Sequence, residues 1–217
     1  MFPKNQQNRV RRIPERGHYD RATIYPIVDE ALICHVGFST DDNQPFVIPT
    51  IHAREEDTIY LHGAKASRLL KHIQAGNPVC ITVTLLDGIV FARSVFNSSM
   101  NYRSAVLFGR GRLLTDDADK MHALVVISDH LARGRWEDSR KPTQKELDAT
   151  SVVAVEIENA SAKVRSGPPG DDEEDYALPI WAGVLPLRQE AGVIINDPRL
   201  EAEISVPDYL VNYQRGS

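Results

Sequence analysis

Cysteine is scarce in this chain. Only Cys34 and Cys80 occur among 217 residues; they lie far apart and outside any CxxC pair, which argues against a structural disulfide or a zinc site. No metal is expected. Long apolar runs are missing too, and nothing approaches the ~20 residues needed to cross a bilayer. Positive charge is in deficit, with 25 Lys and Arg against 30 Asp and Glu and a formal net charge of -5. Nucleic-acid binders need a positive field to meet phosphates, so a general nucleic-acid partner is not expected, although a local basic pocket is allowed. Lys4, Arg9, Arg11, Arg12 and Arg16 crowd the first sixteen residues, but no apolar stretch follows as in a secretory leader. The expected compartment is the cytoplasm. No GxGxxG dinucleotide loop and no internal repeat is visible.

What is present is ordinary globular sequence, 42% hydrophobic and 25% charged, of a length that suits one well-buried domain. Residues 1–19 read as a polar, mobile arm. Residues 20–30 predict a helix capped by Asp20, with Pro26 awkward inside it. Strands are expected over 31–39 and 46–54, around a turn-rich break; Pro49 marks an edge, a bulge or a ligand contact. A strand over 58–62 precedes a helix over 65–75, closed by Gly76-Asn77-Pro78. Strands over 79–86 and 89–96 flank Asp87-Gly88, a two-residue hairpin signal. A strand over 102–114 follows, with Gly109 and Gly111 permitting a bulge. Thr115 or Asp116 caps a helix over 117–132, a short helix ends near Ala149, and a last strand covers 151–158. Residues 166–175 read as a proline-rich, then acidic loop. Hairpin-linked strands with few helices predict a mostly β fold with flanking helices (α+β), a small antiparallel barrel rather than a doubly wound parallel sheet.

Three stretches could carry chemistry. His62-Gly63-Ala64-Lys65-Ala66-Ser67-Arg68 follows a strand and opens a helix, where free N–H groups, two cations and a hydroxyl would suit a phosphate. The same residues also suit an ordinary solvated helix start. Ser99-Met100-Asn101-Tyr102-Arg103-Ser104 gathers hydrogen-bond donors where a loop enters a strand; a polar turn with Tyr102 in the core is the other reading. Arg93, beside Ser94 in an apolar strand, needs an anionic or polar partner if buried and none if at an edge. His52 and His62 are imidazole candidates that fit a core role as well.

Taken in order, several segments resemble a known family, the nitroimidazole-resistance-type branch of the pyridoxamine 5′-phosphate oxidase-like flavoproteins. They are Ile48-Pro49-Thr50, Tyr60 through Arg68, Ala92-Arg93-Ser94, Ser99 through Ser104, Lys163-Val164-Arg165-Ser166-Gly167-Pro168-Pro169 and Trp181 through Pro186. The resemblance implies an FMN-binding split β-barrel that is homodimeric, with the cofactor at the subunit interface. It places Lys65, Ser67 and Arg68, with Gly63 and Ala64, at the FMN phosphate, and adds Ser99, Tyr102, Arg103 and Ser104. Pro49, Thr50 and His62 would line the isoalloxazine with Ser94 close by, and Trp181 would close the pocket from either subunit. It divides the chain into an arm (1–19), an FMN-binding split-barrel domain (20–187) and a C-terminal extension (188–217). Some relatives have histidines where this chain has Asn97 and Ser98, so chemistry needing an imidazole there is not carried over.

The activity implied is that of a small-molecule oxidoreductase, a nitro- or quinone-type reductase or related oxidase, with NAD(P)H as a transient donor. No catalytic side chain is assigned. The alternative is a non-catalytic flavin-binding or redox-sensing protein, and a third reading is a haem-binding split barrel with a histidine such as His62 as axial ligand.

Overall fold

The computed structural model describes residues 1–214. Nine strands form one antiparallel sheet: β1 (Gly17–His18), β2 (Ile33–Ser39), β3 (Pro45–Ile51), β4 (Ala53–Glu55), β5 (Thr58–Ala64), β6 (Pro78–Phe91), β7 (Ser99–Leu113), β8 (Thr150–Arg165) and β9 (Gly183–Pro186). The order is β3-β2-β6-β7-β8-β5-β4, with β1 added to β8 and β9 to β6. The helices are α1 (Arg21–Glu30), α2 (Arg68–Gln74), α3 (Asp117–Leu131), α4 (Gln144–Ala149) and α5 (Asp208–Val211). None of the described helices is long and apolar enough to cross a membrane.

Alternation along the strands decides which face is inside. Val36 opposes Ile48 and Ile81, Ile81 opposes Leu107, and Leu107 opposes Ala160. Opposed residues share a face, so this row runs through the core with Ile59, Leu61, Ile73 and Val83 around it. The adjacent row is Pro49, His35, Thr82, Val106 and Ser161, which points to the other face. A second cluster, Leu114, Ala123, Val152 and Ala154 with Tyr60 and Leu124, seats α3 on the far end of β5 and β8.

Local signals hold where they are self-contained. The Asp20 carboxylate accepts from Thr23 N (2.8 Å) at the start of α1, and Asp116 accepts from Ala118 N and Asp119 N at the start of α3. Thr143 and Glu146 form a capping box on α4. At Gly109 the register shifts between β7 and β8, and a Cβ there would sit 1.8 Å from the Glu156 carbonyl oxygen.

Two expectations are corrected. Asp87-Gly88 is no hairpin turn: β6 runs through it with a register shift between Leu86 and Gly88. The reversal falls instead at 92–98. Gly88 pairs with Pro186 of β9, and a Cβ at Gly88 would meet Leu185 O at 3.0 Å, so the glycine serves close approach of a strand rather than a turn. Residues 1–19 are docked, not mobile. Phe2 is 3% exposed and sits edge-on to Tyr25, buried Asn8 donates to Ala160 O (3.2 Å), and Gly17 pairs with Lys163. A polar composition concealed one apolar anchor and a strand pairing.

Candidate functional site

The corner where β5 gives way to α2 carries the phosphate expectation. Ala64 is the last strand residue, Ser67 N returns to Ala64 O (2.9 Å), and Ser67 Oγ caps the helix by accepting from Leu70 N (3.4 Å). Gly63 lies against Leu70, whose side chain would be 3.3 Å from an added Cβ. Lys65 and Arg68 project outward and form no ion pair within 4 Å among the described residues. The Arg68 guanidinium lies 4.3 Å from the centre of the Phe46 ring, on β3. Lys65, Lys71, Gln74, Ala75, Leu113 and Ser151 line a cavity of about 530 Å³ beside it. The corner therefore holds two cations that make no contact ion pair, with the Asp42 carboxylate near enough for Arg68 to help lower its pKa after its own hydrogen bonds to Thr40 and Gln44.

His62, one turn of strand earlier, pairs with Val152 and is half-buried. Its Nδ1 is buried with no partner, and burial holds the ring below the usual histidine range. His52 is fully buried, with Nε2 3.0 Å from Val28 O and burial pushing it down to about 4; it packs beside His130, ring centres 5.2 Å apart. His52 is a core residue.

Pro49 on β3 is exposed on the outer face opposite His35, and Thr50 follows with Oγ1 donating to Ile51 O (3.3 Å). On β7, Ser99 opposes Val90 and Tyr102 opposes Leu86 and Arg165. Arg103 and Ser104 lie on opposite faces. Ser104, opposite Thr84 and Lys163, shares the outer face with Pro49. Arg103 turns the other way and is held by two carboxylates, donating to Asp87 Oδ1 (2.8 Å) and Oδ2 (2.9 Å) and to both oxygens of Glu30. Its positive charge is already spent within the chain.

Arg93 and Ser94 begin the 92–98 reversal and are fastened by a residue that the sequence did not mark. The Asp171 side chain is fully buried. It accepts from Arg93 N (2.8 Å), Ser94 N (3.3 Å) and Arg93 Nη1 (3.1 Å). Arg93 also lies over Tyr176, 5.0 Å from the ring centre. Two donors in this loop, Arg93 Nε and Asn97 Nδ2, are buried without a partner. Trp181 is 69% exposed, not a core tryptophan, with its ring 6.0 Å from Phe91. Within the 92–98 loop, Val95 and Phe96 are almost fully exposed.

The expected residues thus fall into groups: the β5–α2 corner (His62, Gly63, Ala64, Lys65, Ser67, Arg68), the outer sheet face (Pro49, Tyr102, Ser104), and Ser94 in the 92–98 loop with Trp181 near Phe91 at the end of β6; Thr50, Ser99 and Arg103 lie on the opposite face and join none of these. Asp171 was missed, and Arg165 was named only within a resembling segment, without a role. The only signal for either was its place near the Lys163–Pro169 segment and the acidic loop after it.

An antiparallel split barrel with a basic strand-to-helix corner defines a class, and the chain belongs to the pyridoxamine 5′-phosphate oxidase family: that family's model matches residues 20–164. Among solved structures, the flavocytochrome Anf3 from Azotobacter vinelandii is 41% identical, with 97% of each chain covered and a TM-score of 0.91. The FAD and heme binding protein from Mycobacterium smegmatis is 34% identical over 90% of this chain and 96% of that one, TM-score 0.86. A candidate 5-nitroimidazole antibiotic resistance protein from Bacteroides thetaiotaomicron is 27% identical over 68% of this chain and 87% of that one, TM-score 0.58. No match was found among curated proteins.

Proposed function

We propose that this protein is a flavin-dependent oxidoreductase of small molecules, with FMN or FAD held on the outer sheet face between two copies of the chain. The observation that carries the reading is the β5–α2 corner, where Lys65 and Arg68 form no ion pair within 4 Å among the described residues and stand beside the Ser67 hydroxyl. Membership of the family and two flavin-named relatives covering nine-tenths or more of the chain support it. The residues present fit such a group, because the 92–98 loop offers two buried donors without acceptors.

When bound, the flavin supplies hydride and electron transfer. The chain's own work is binding and electrostatics. Lys65, Ser67 and Arg68 would grip the phosphate, and charge-assisted contacts of this kind are worth about 1.5–3 kcal/mol each. Arg93 Nε and Asn97 Nδ2 would donate to ring oxygens and so favour the negative charge of the reduced state. Trp181 and Phe91 would cover the ring from water. Ile33, Val47 and Leu86, at 53%, 67% and 45% exposure, give the outer face apolar surface for a second copy to cover. A nicotinamide donor would bind transiently over the open ring.

Anaerobic stopped-flow mixing of the yellow protein with NADH and NADPH tests the turnover. Rapid bleaching supports a reductase, while inert flavin assigns the chain to the non-catalytic, redox-sensing alternative. A second reading adds haem to flavin. It is favoured by the buried, unpartnered Nδ1 of His62 and by the names of two relatives whose match covers nine-tenths or more of this chain. A Soret band in the purified protein supports it; its absence after expression with haem supply sinks it.

A further inference from the structure

Arg165, the last residue of β8, is buried to 9% exposure, yet its charge has no opposite number. The guanidinium donates to Asn101 Oδ1 and to the Pro168 carbonyl oxygen (3.4 Å), both neutral, and no carboxylate among the described residues pairs with it. Burying an arginine without a counter-charge is costly, and structural arginines elsewhere in this chain avoid it: Arg103 has two carboxylates and Arg93 has one. Asn101 is itself fixed, because its amide donates to Gly167 O (3.1 Å). The buried cation is therefore held in place rather than tolerated in a loose loop.

The neighbourhood adds positive charge instead of neutralising it. Half-buried Arg16 immediately precedes Gly17, which pairs with Lys163 two residues before Arg165. Burial first, and the nearby charge of Arg16 second, lower the Arg165 proton affinity, so the two cations repel each other. Further along the docked arm, Lys4, Asn5, Gln6, Arg9 and Arg11 line a cavity of about 870 Å³ with no acidic residue in its wall. Residues 1–19 hold five cations against the single carboxylate of Glu15, in a chain of net charge -5. Charge segregation of this kind is a local field for an anion.

We propose that Arg165 and Arg16, flanked by Lys163, form a second anion site that takes the phosphate ester of a nucleotide. Lys163 opposes Ser104, and Arg165 opposes Tyr102 on the next outward rung of the same strands, so the site adjoins the face proposed for the flavin. Both arginines fall just outside residues 20–164, over which the family's model matches. Two sources share this chemistry: the adenylate-side phosphate of FAD, the one that FMN lacks, which rests on the flavin reading, and the phosphates of a soluble nicotinamide nucleotide.

The test compares wild type with Arg165→Gln, Arg16→Gln and Arg165→Lys. Inorganic pyrophosphate is titrated into the protein as purified and the thermal midpoint is followed; FAD, FMN and NADP⁺ affinities are then measured by calorimetry. Pyrophosphate is expected to raise the midpoint of wild type and of R165K, and to lose at least tenfold in potency in R165Q and R16Q. A tenfold loss for FAD with FMN unchanged identifies the cofactor as the source; a tenfold loss for NADP⁺ with flavin content unchanged identifies the soluble nucleotide. Equal binding of pyrophosphate, FAD and NADP⁺ by wild type and both glutamine variants overturns the site. Should R165Q fail to fold, R16Q carries the same comparison. A wild type that binds no flavin but still binds pyrophosphate through Arg165 would defeat the flavin reading and leave the anion site standing.

Discussion

Replacing Asp171 by Ala should be among the most destabilising single changes in the chain. The carboxylate is fully buried and accepts three donors, Arg93 N at 2.8 Å, Ser94 N at 3.3 Å and Arg93 Nη1 at 3.1 Å. Alanine would strand two backbone N–H groups and a guanidinium that is 24% exposed. Removing one partner of a buried ion pair costs about 3–5 kcal/mol, and an unmet buried N–H about 1–3 kcal/mol. The Arg93 head can partly rehydrate, which brings the total to about 3–4 kcal/mol. At roughly 2–4 °C per kcal/mol for a chain of this size, the thermal midpoint should fall by about 6–16 °C. Asp171→Asn keeps an acceptor for the backbone groups and should lose about half as much. Urea unfolding at neutral pH gives the free energies, and limited proteolysis should open first at 92–98 and 166–177. A D171A protein within 0.5 kcal/mol of wild type, the range expected of surface changes, would show that Asp171 does not fasten the 92–98 loop.

Acid should weaken the fold through His52. Its folded pKa of about 4 lies below the unfolded value of ~6.5, so the unfolded state takes up the proton first and stability declines as pH falls from ~6.5 towards 4, by up to about 3 kcal/mol. Stability measured across that window should flatten in His52→Gln; an unchanged slope would show that His52 is not responsible. Gly109→Ala should cost about 3 kcal/mol or more, because the methyl would sit 1.8 Å from Glu156 O; full stability in that variant, by calorimetry, would contradict the bulge. Flavin bound between two copies should be released on dilution well below micromolar, by mass action. Fluorescence anisotropy of the flavin that stays independent of protein concentration down to the monomer would exclude the shared site.

What the sequence disclosed was local chemistry. Asp20 and Asp116 cap the helices that their positions announced, and Gly109 marks a bulge because no side chain fits beside Glu156. Long-range pairing was not legible. Asp87-Gly88 has the composition of a turn, yet β6 continues through it with a register shift, and β9, about a hundred residues later, pairs with it there. Asp171 and Arg93 are 78 residues apart, so no periodicity or spacing joins them. The His62–Arg68 motif does lie where a strand gives way to a helix, but a motif does not tell which face a residue takes. Arg103 and Ser104 are neighbours in the chain, and the pleat sends one to Glu30 and Asp87 and the other outward. Nor did the polar arm betray that Phe2 would anchor it.

The central claim is that a flavin phosphate is gripped by Lys65 and Arg68. The direct measurement is equilibrium titration of FMN and FAD into apo-protein, for wild type and for the Lys65→Ala/Arg68→Ala double variant, at equal folded stability. A loss of about a hundredfold or more is expected, from two charge-assisted contacts of ~1.5 kcal/mol or better. Identical affinities in the two proteins would contradict it.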